Sequence, residues 1–373
     1  MKKITGIVLS LVLLLSVLLT GCGGSQQGGT PTATPTPTEQ AAEPLVVGFI
    51  YIGPVNDGGW TEAHNNGRLE METALGDKVK TLIMENVPES ADVEKAMRDM
   101  IDQGAKVIFA TSFGYQDYVA KVAKEFPDVT FLHCSGSIDL PNVGTYFGKM
   151  YEARYLSGIV AGMKTETNKI GYVAAMPIPE VIRMINAFTL GVQSVNKDAT
   201  VEVTWTNTWY DPAKEKEAAK ALLDKGCDVL AQHQDSTATQ IAASEAGKFS
   251  IGYDLDHPEK VSGYMTAPIW HWGSYYIKTI NEVLGGTWKP GSYWGPMSDG
   301  IVELAPLTSY APEGAQAKID EAKKAINDSS LKIFKGPLKD NTGIERVKEG
   351  QVMTDDEVWS MDWFVEGVIG KTN

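Results

Sequence analysis

The feature that most limits what this chain can fold into is a repeat within it. VEKAMRDMIDQGAKVIFA, residues 93–110, is matched later by KEAAKALLDKGCDVLAQ, residues 216–232. Ile101-Asp102-Gln103-Gly104 aligns with Leu223-Asp224-Lys225-Gly226, and Val107-Ile108 with Val229-Leu230. Each copy reads as an amphipathic helix, a glycine at its end and a buried strand. Upstream, the strand-like run 79–84 corresponds to 201–205, and 45–52 to 169–174. The order and offset hold over three strands, so two βαβαβ halves follow each other. Strands alternating with helices in this way build parallel sheets. The expected class is α/β, with two Rossmann-like lobes.

Further strands are expected at 126–134, 143–148, 249–252, 260–266, 302–304 and 332–337, and helices at 151–163, 275–284 and 311–326. Within 151–163, Gly158 and Gly162 fall on a face suited to close helix packing. The tail 355–369, with Trp359, Trp363 and Phe364, is expected to pack back on a lobe. Crossovers near 149–169, 270–288 and 308–312 would make a three-segment hinge. One lobe would then be 45–149 with about 270–308, the other 150–269 with about 309–373.

The start of the chain has a different character. Met1-Lys2-Lys3 precedes an apolar run, 7–19, that is short for a membrane span. It ends in Leu19-Thr20-Gly21-Cys22, the form of a lipobox. Residues 1–21 therefore read as a lipoprotein signal peptide and Cys22 as an acylated anchor in the lipid bilayer. Each buried acyl methylene contributes roughly 0.8 kcal/mol, so two or three chains hold firmly. Residues 22–44 are mostly Gly, Ser, Gln, Thr, Pro and Ala, the composition of a disordered tether. The expected location is the cell membrane, lipid-anchored, on its extracytoplasmic face. A formal net charge of −14 argues against nucleic acid as a partner, since that needs a basic face. Cys134 and Cys227 fit no CxxC pattern and read as buried free thiols, with a disulfide between them left open.

The chemistry is expected where strands end. LVVGFIYIGPVNDGGW, residues 45–60, reads as strand, glycine-bearing loop and helix start. In open α/β sheets, ligands bind beyond the carboxyl ends of the strands. This loop offers Asn56, Asp57, Gly58 and Trp60, and the run Thr111-Ser112-Phe113-Gly114-Tyr115 offers Phe113 and Gly114. The second half offers Trp209, Asp235, Tyr253, Asp254 and Trp270. These are aromatic faces among carboxylates and amides, with no Lys or Arg until Arg183, inside a helix. A phosphate or carboxylate ligand calls for cations or a phosphate-binding loop. The set suits a neutral, flat, hydrogen-bonding ligand instead. Two aromatic rings sandwich it, at about 1–3 kcal/mol per stacked base. A buried carboxylate favours ligands that bring N–H groups and rejects those that lack them.

No cofactor or metal is expected. His64, His133, His233, His257 and His271 form no HExxH pattern and stand in no GxSxG elbow. Asp254 and Asp256 are the carboxylate pair closest to what a nucleoside hydrolase needs, but the other acidic residues are scattered among aromatics. A binding protein is expected rather than an enzyme.

The lipobox, the opening GFIYIGPVNDGGW, the middle PNVGTYFGKMYEARYLSGIVAG and the later NTWYDPAKEKEAAKALLDKGCDVLAQHQDST resemble the basic membrane protein family, lipoproteins that serve as substrate-binding components of ABC importers. The resemblance covers about 45–300 well and the tail less clearly. It implies a type I periplasmic binding protein-like fold, a three-segment hinge, an ABC permease as partner and a purine base or purine nucleoside as ligand. One branch of the family binds riboflavin, and a signalling co-receptor is a further alternative. By position, Trp60 and Trp209 resemble the family's base-sandwich aromatics, Asn56 and Asp57 its base-contacting polar pair, and Asp254 its ribose-binding carboxylate. The nucleoside binders carry a Lys after the last second-lobe strand, where this chain has Thr266-Ala267-Pro268-Ile269-Trp270, and a small residue where it has Asp235. These departures tilt the expectation from a nucleoside toward a free, adenine-like base.

Overall fold

The computed structural model describes residues 43–257 and 261–372. The expected signal peptide, Cys22 and nearly all of the tether lie outside them. In chain order the first half contains β1 (Leu45–Ile50), α1 (Trp60–Leu75), β2 (Val79–Met84), α2 (Asp92–Asp102), β3 (Val107–Ala110), α3 (Gln116–Glu125), β4 (Thr130–Cys134) and β5 (Val143–Gly148). The second half contains α4 (Tyr151–Lys164), β6 (Lys169–Ala174), α5 (Pro179–Val195), β7 (Thr200–Trp205), α6 (Pro212–Asp224), β8 (Val229–His233), α7 (Ala238–Glu245), β9 (Phe249–Ile251) and β10 (Tyr264–Thr266). There follow β11 (Pro268–Trp270), α8 (Trp272–Leu284), β12 (Gly291–Gly295), β13 (Val302–Leu304) and α9 (Ala315–Asn327). The tail holds β14 (Leu338–Lys339), β15 (Glu345–Val347), α10 (Asp355–Trp359) and β16 (Val368–Ile369).

Two six-stranded, all-parallel sheets result, ordered β12-β5-β4-β3-β1-β2 and β10-β9-β8-β6-β7-β16. Leaving aside the edge strands β12 and β16, the two orders are the same permutation, as the sequence repeat requires. The aligned Gly104 and Gly226 end α2 and α6 with φ of 92° and 91°, the left-handed conformation in which glycine lacks the steric penalty of other residues. The central strands β3 and β8 are buried along their whole length, which is why β3 is a continuous apolar run and β8 is apolar over 229–231 before its buried Gln232 and His233.

The chain passes between the two sheets' elements three times: from β5 into α4, from β10 through β11 to α8, and from β12 through β13 to α9. β11 and β13 pair with each other, antiparallel, in neither large sheet. Helices α4 and α5 are buried around most of their circumference and pack together through glycines. A β-carbon on Gly158 would lie 2.1 Å from the Phe188 carbonyl oxygen, and one on Gly191 2.0 Å from that of Tyr155.

Several boundaries differ from expectation. The run 126–134 is a strand only from Thr130, because Val129 N–H turns back onto the Phe126 carbonyl. The run 260–266 is a strand over Tyr264–Thr266, with 258–260 outside the described residues. Residues 332–337 are not a strand: Lys335 makes a lone bridge to Val352, and the paired segment begins at Leu338. The tail does fold back, with β16 extending the second sheet beside β7 and Phe364 buried. Cys134 and Cys227 are buried free thiols. Among the described residues no helix is long and apolar enough to cross a membrane.

Candidate functional site

A narrow cavity, open to solvent at its rim, lies between the carboxyl ends of the two sheets. From the first sheet's side it is lined by Ile52 after β1, Trp60 at the start of α1, Ser112 and Phe113 after β3, and Ser135 after β4. From the second come Glu180 in the first turn of α5, Trp209 after β7, His233 and Asp235 at the end of β8, and Tyr253 after β9. Phe113 and Trp209 are partly exposed, while the other polar and aromatic liners are buried, so these two stand at the rim.

Five of the residues expected from sequence meet here: Trp60, Phe113, Trp209, Asp235 and Tyr253. The other six stand elsewhere. Asn56 is exposed and outside the lining. Asp57 is turned onto the start of α1, where its carboxylate accepts the backbone N–H of Gly59 (2.9 Å), Thr61 (2.8 Å) and Glu62 (3.0 Å). A carboxylate there satisfies the helix's orphan donors and complements its dipole. Gly58, with φ 86°, gives its N–H to Glu62. Gly114 is held by Glu89 (2.7 Å). Asp254 and Trp270 are buried and outside the lining, the indole Nε1 donating to Asp254 Oδ1 (3.0 Å). Trp270 also stacks on Trp272, and Trp272 on His64, each pair at 4.4 Å between ring centres.

Sequence reading missed Ile52, Ser135, Glu180 and His233 as liners. Ser135 and His233 end or directly follow strands, so the strand-end rule already pointed to them. It also missed Arg154, fully buried on α4 with its guanidinium 3.7 Å from the centre of the Tyr253 ring. Nothing in its helical run distinguished that arginine from a solvated one.

The electrostatics follow from burial. Asp235 is raised well above the usual carboxylate range, first by desolvation and then by the negative charges of Asp254, Asp57 and Glu215. Burial thus favours its protonated form, and its Oδ2 is unpartnered. Asp254 is raised the same way, although Arg154 opposes the shift. The Tyr253 hydroxyl is also buried and unpartnered. His233 is lowered to about 4 by burial, so its imidazole is uncharged. Burial pushes Glu180 up, but the hydrogen bond from His233, the charge of Arg183 and the hydroxyl of Ser135 outweigh it and hold the group below its ordinary value. Glu180 bridges the sheets, accepting from Ser135 while standing 3.5 Å from His233 Nε2.

Beside the cavity, Glu215 of α6 accepts the Ser236 hydroxyl and the Asp211 N–H (3.0 Å). Burial raises it from 4.5 to about 7. A raised folded-state value means the fold prefers the protonated acid. Its contribution is fully present below pH 4.5 and is lost as pH rises toward 7, by about 3 kcal/mol over that window. Glu215→Gln is expected to flatten the pH dependence of apo-protein stability between pH 4.5 and 7, read by urea denaturation. An unchanged slope would remove Glu215 as its source.

Comparison with known proteins agrees with this architecture. Residues 45–332 match the family model described as ABC transporter substrate-binding protein, PnrA-like. A purine-binding protein of Brucella abortus is 43% identical over 332 residues, covering 89% of this chain and 95% of that one. A putative ABC transporter glucose-binding protein of Haloferax volcanii is 37% identical, covering 88% and 81%. Among solved structures, an ABC transporter solute-binding protein of Aeropyrum pernix superposes with a TM-score of 0.67 at 20% identity, covering 80% and 93%. That likeness identifies the fold as the two-lobed type I solute-binding architecture.

Proposed function

Since this chain belongs to the Bmp family of PnrA-like ABC transporter substrate-binding proteins, whose members bind solutes outside the cytoplasm rather than transform them, we propose that it captures a free purine base in the cavity between its sheets and delivers it to a membrane permease. The observation that carries this reading is the pairing of flat aromatic faces with a buried carboxyl group that keeps one oxygen unpartnered. Trp60, Phe113 and Trp209 offer rings, while burial pushes Asp235 toward the protonated form, in which a carboxyl both donates and accepts. A purine edge offers N–H and ring nitrogen side by side, the complement of such a group. The purine-binding name of the Brucella relative points the same way.

Delivery needs the two lobes to open and close. The division into 45–149 with about 270–308 and 150–269 with about 309–373 is supported by strand membership of the two sheets and by the three crossings. Cys22, in its lipobox, would tether the protein to the outer face of the cell membrane, which mass spectrometry of the membrane-extracted protein would test through the acyl mass on that residue.

Calorimetric titration with adenine, hypoxanthine, adenosine, riboflavin and glucose tests the ligand. Adenine or hypoxanthine is expected to bind one to one and be recovered unchanged, with adenosine weaker and glucose silent. Saturation by glucose or riboflavin with the purines silent would overturn the reading, and release of free base from adenosine would make the protein a hydrolase.

A further inference from the structure

The residue that ties the cavity's rim together does not line the cavity. Glu89 stands between β2 and α2, on the first sheet's side. A single oxygen, Oε1, accepts three donors: the Ser112 hydroxyl (2.7 Å), the Gly114 N–H (2.7 Å) and the Trp209 indole Nε1 (3.2 Å). The first two belong to the loop after β3 that carries Phe113. The third belongs to the loop after β7 in the other sheet. One carboxylate thus grips the rim residues of both walls. The loop is shaped to receive it, for a β-carbon on Gly114 would fall 2.4 Å from the Glu89 carboxyl carbon and push the carboxylate from this position. On its other side Trp209 is held by its own sheet, its carbonyl accepting the Asp235 N–H (3.1 Å). The sheets also touch directly beside it, where a β-carbon on Gly59 would lie 2.5 Å from the Asp235 carbonyl oxygen.

We infer that Glu89 is a positioning residue for the ligand: its carboxylate clasps the Trp209 indole across the rim and so sets how long the ligand stays. The inference rests on the reading of this cavity as the purine site. A charged acceptor holding three donors is a strong local restraint, and the indole N–H is the one donor it takes from the opposite sheet. Opening the cavity past Trp209 must break that bond. Glu89 therefore acts on release without touching what is released.

The test uses stopped-flow release of adenine from the folded protein, with the exchange rate of the Trp209 indole proton measured by NMR in the unliganded protein. Glu89→Ala is expected to speed release roughly tenfold to a hundredfold, the range for losing a hydrogen bond to a charged group. Glu89→Gln keeps an acceptor oxygen and is expected to restore most of the residence time. Trp209→Phe keeps a ring but loses the N–H; it is expected to speed release on its own and to add little when combined with Glu89→Ala. Release from Glu89→Ala within about twofold of the parent, or full additivity of the two substitutions, would overturn the clasp. If adenine does not bind the parent protein, the purine reading fails, and the indole exchange still decides the clasp: faster exchange in Glu89→Ala supports it, and unchanged exchange overturns it.

Discussion

Gly191→Val is expected to abolish folding, and Gly191→Ala to cost about 2–4 kcal/mol of stability in urea denaturation. The reason is the crossing of α4 and α5. Each helix brings a glycine against a backbone carbonyl of the other, Gly191 against Tyr155 and Gly158 against Phe188. Added β-carbons would sit 2.0 and 2.1 Å from those oxygens, well inside contact distance. Carbonyls on a helix cannot rotate away as a side chain would, so the helices must separate. Separation loosens Leu156, Ile159, Ile185 and Val192, all at most 3% exposed. A well-packed core does not absorb such a shift without voids. Valine adds two methyl groups to the same clash, and domains rarely hold more than about 5–15 kcal/mol in reserve. A Gly191→Ala protein within 0.5 kcal/mol of the parent would mean the helices sit farther apart than the glycines imply.

What the sequence made legible was whatever is local or repeated. The helix–glycine–strand units around Gly104 and Gly226 carry their own start and stop signals, and two copies of one pattern can hardly build different sheets. The edge strands were opaque for the opposite reason. Gly291–Gly295 joins the first sheet beside β5, and Val368–Ile369 joins the second beside β7, through partners far away in sequence. Neither short segment has an alternation that would announce it. At the site, the strand-end rule located the cavity but could not say where each side chain turns. Asp57 and Asp235 looked alike as loop carboxylates. Yet Asp57 has three backbone N–H groups within reach and spends itself on them, whereas Asp235 keeps an oxygen unpaired beside the cavity. Trp270 looked like a rim aromatic, but the stack Trp270–Trp272–His64 buries it. Arg154 and Glu180 were hidden because helical periodicity tells which face is buried, not that a buried face carries charge.

Trp209→Ala is expected to weaken adenine binding roughly five- to 150-fold in a calorimetric titration, the range for losing one stacked base. Trp60 and Trp209 looked equivalent from sequence, but their surroundings differ. Trp60 is only 9% exposed, gives its Nε1 to the Thr111 carbonyl (2.8 Å) and meets His64, Trp270 and Trp272 edge-on. Removing it would open a cavity in the first lobe's core, at about 3–5 kcal/mol. Binding and folding would fall together, and the substitution would say little about the site. Trp209 is half-buried on a loop, tilted 47° to the His233 ring at 6.3 Å. Its deletion leaves no sealed void and costs the unliganded fold chiefly the bond to Glu89, so apo stability should fall by less than binding does. That separation of the two readouts is what a binding aromatic predicts and a packing aromatic does not. An affinity within twofold of the parent would place the ligand away from Trp209. A matching loss of apo stability would make the residue part of the scaffold, leaving Phe113 as the partly exposed ring free to close over a base.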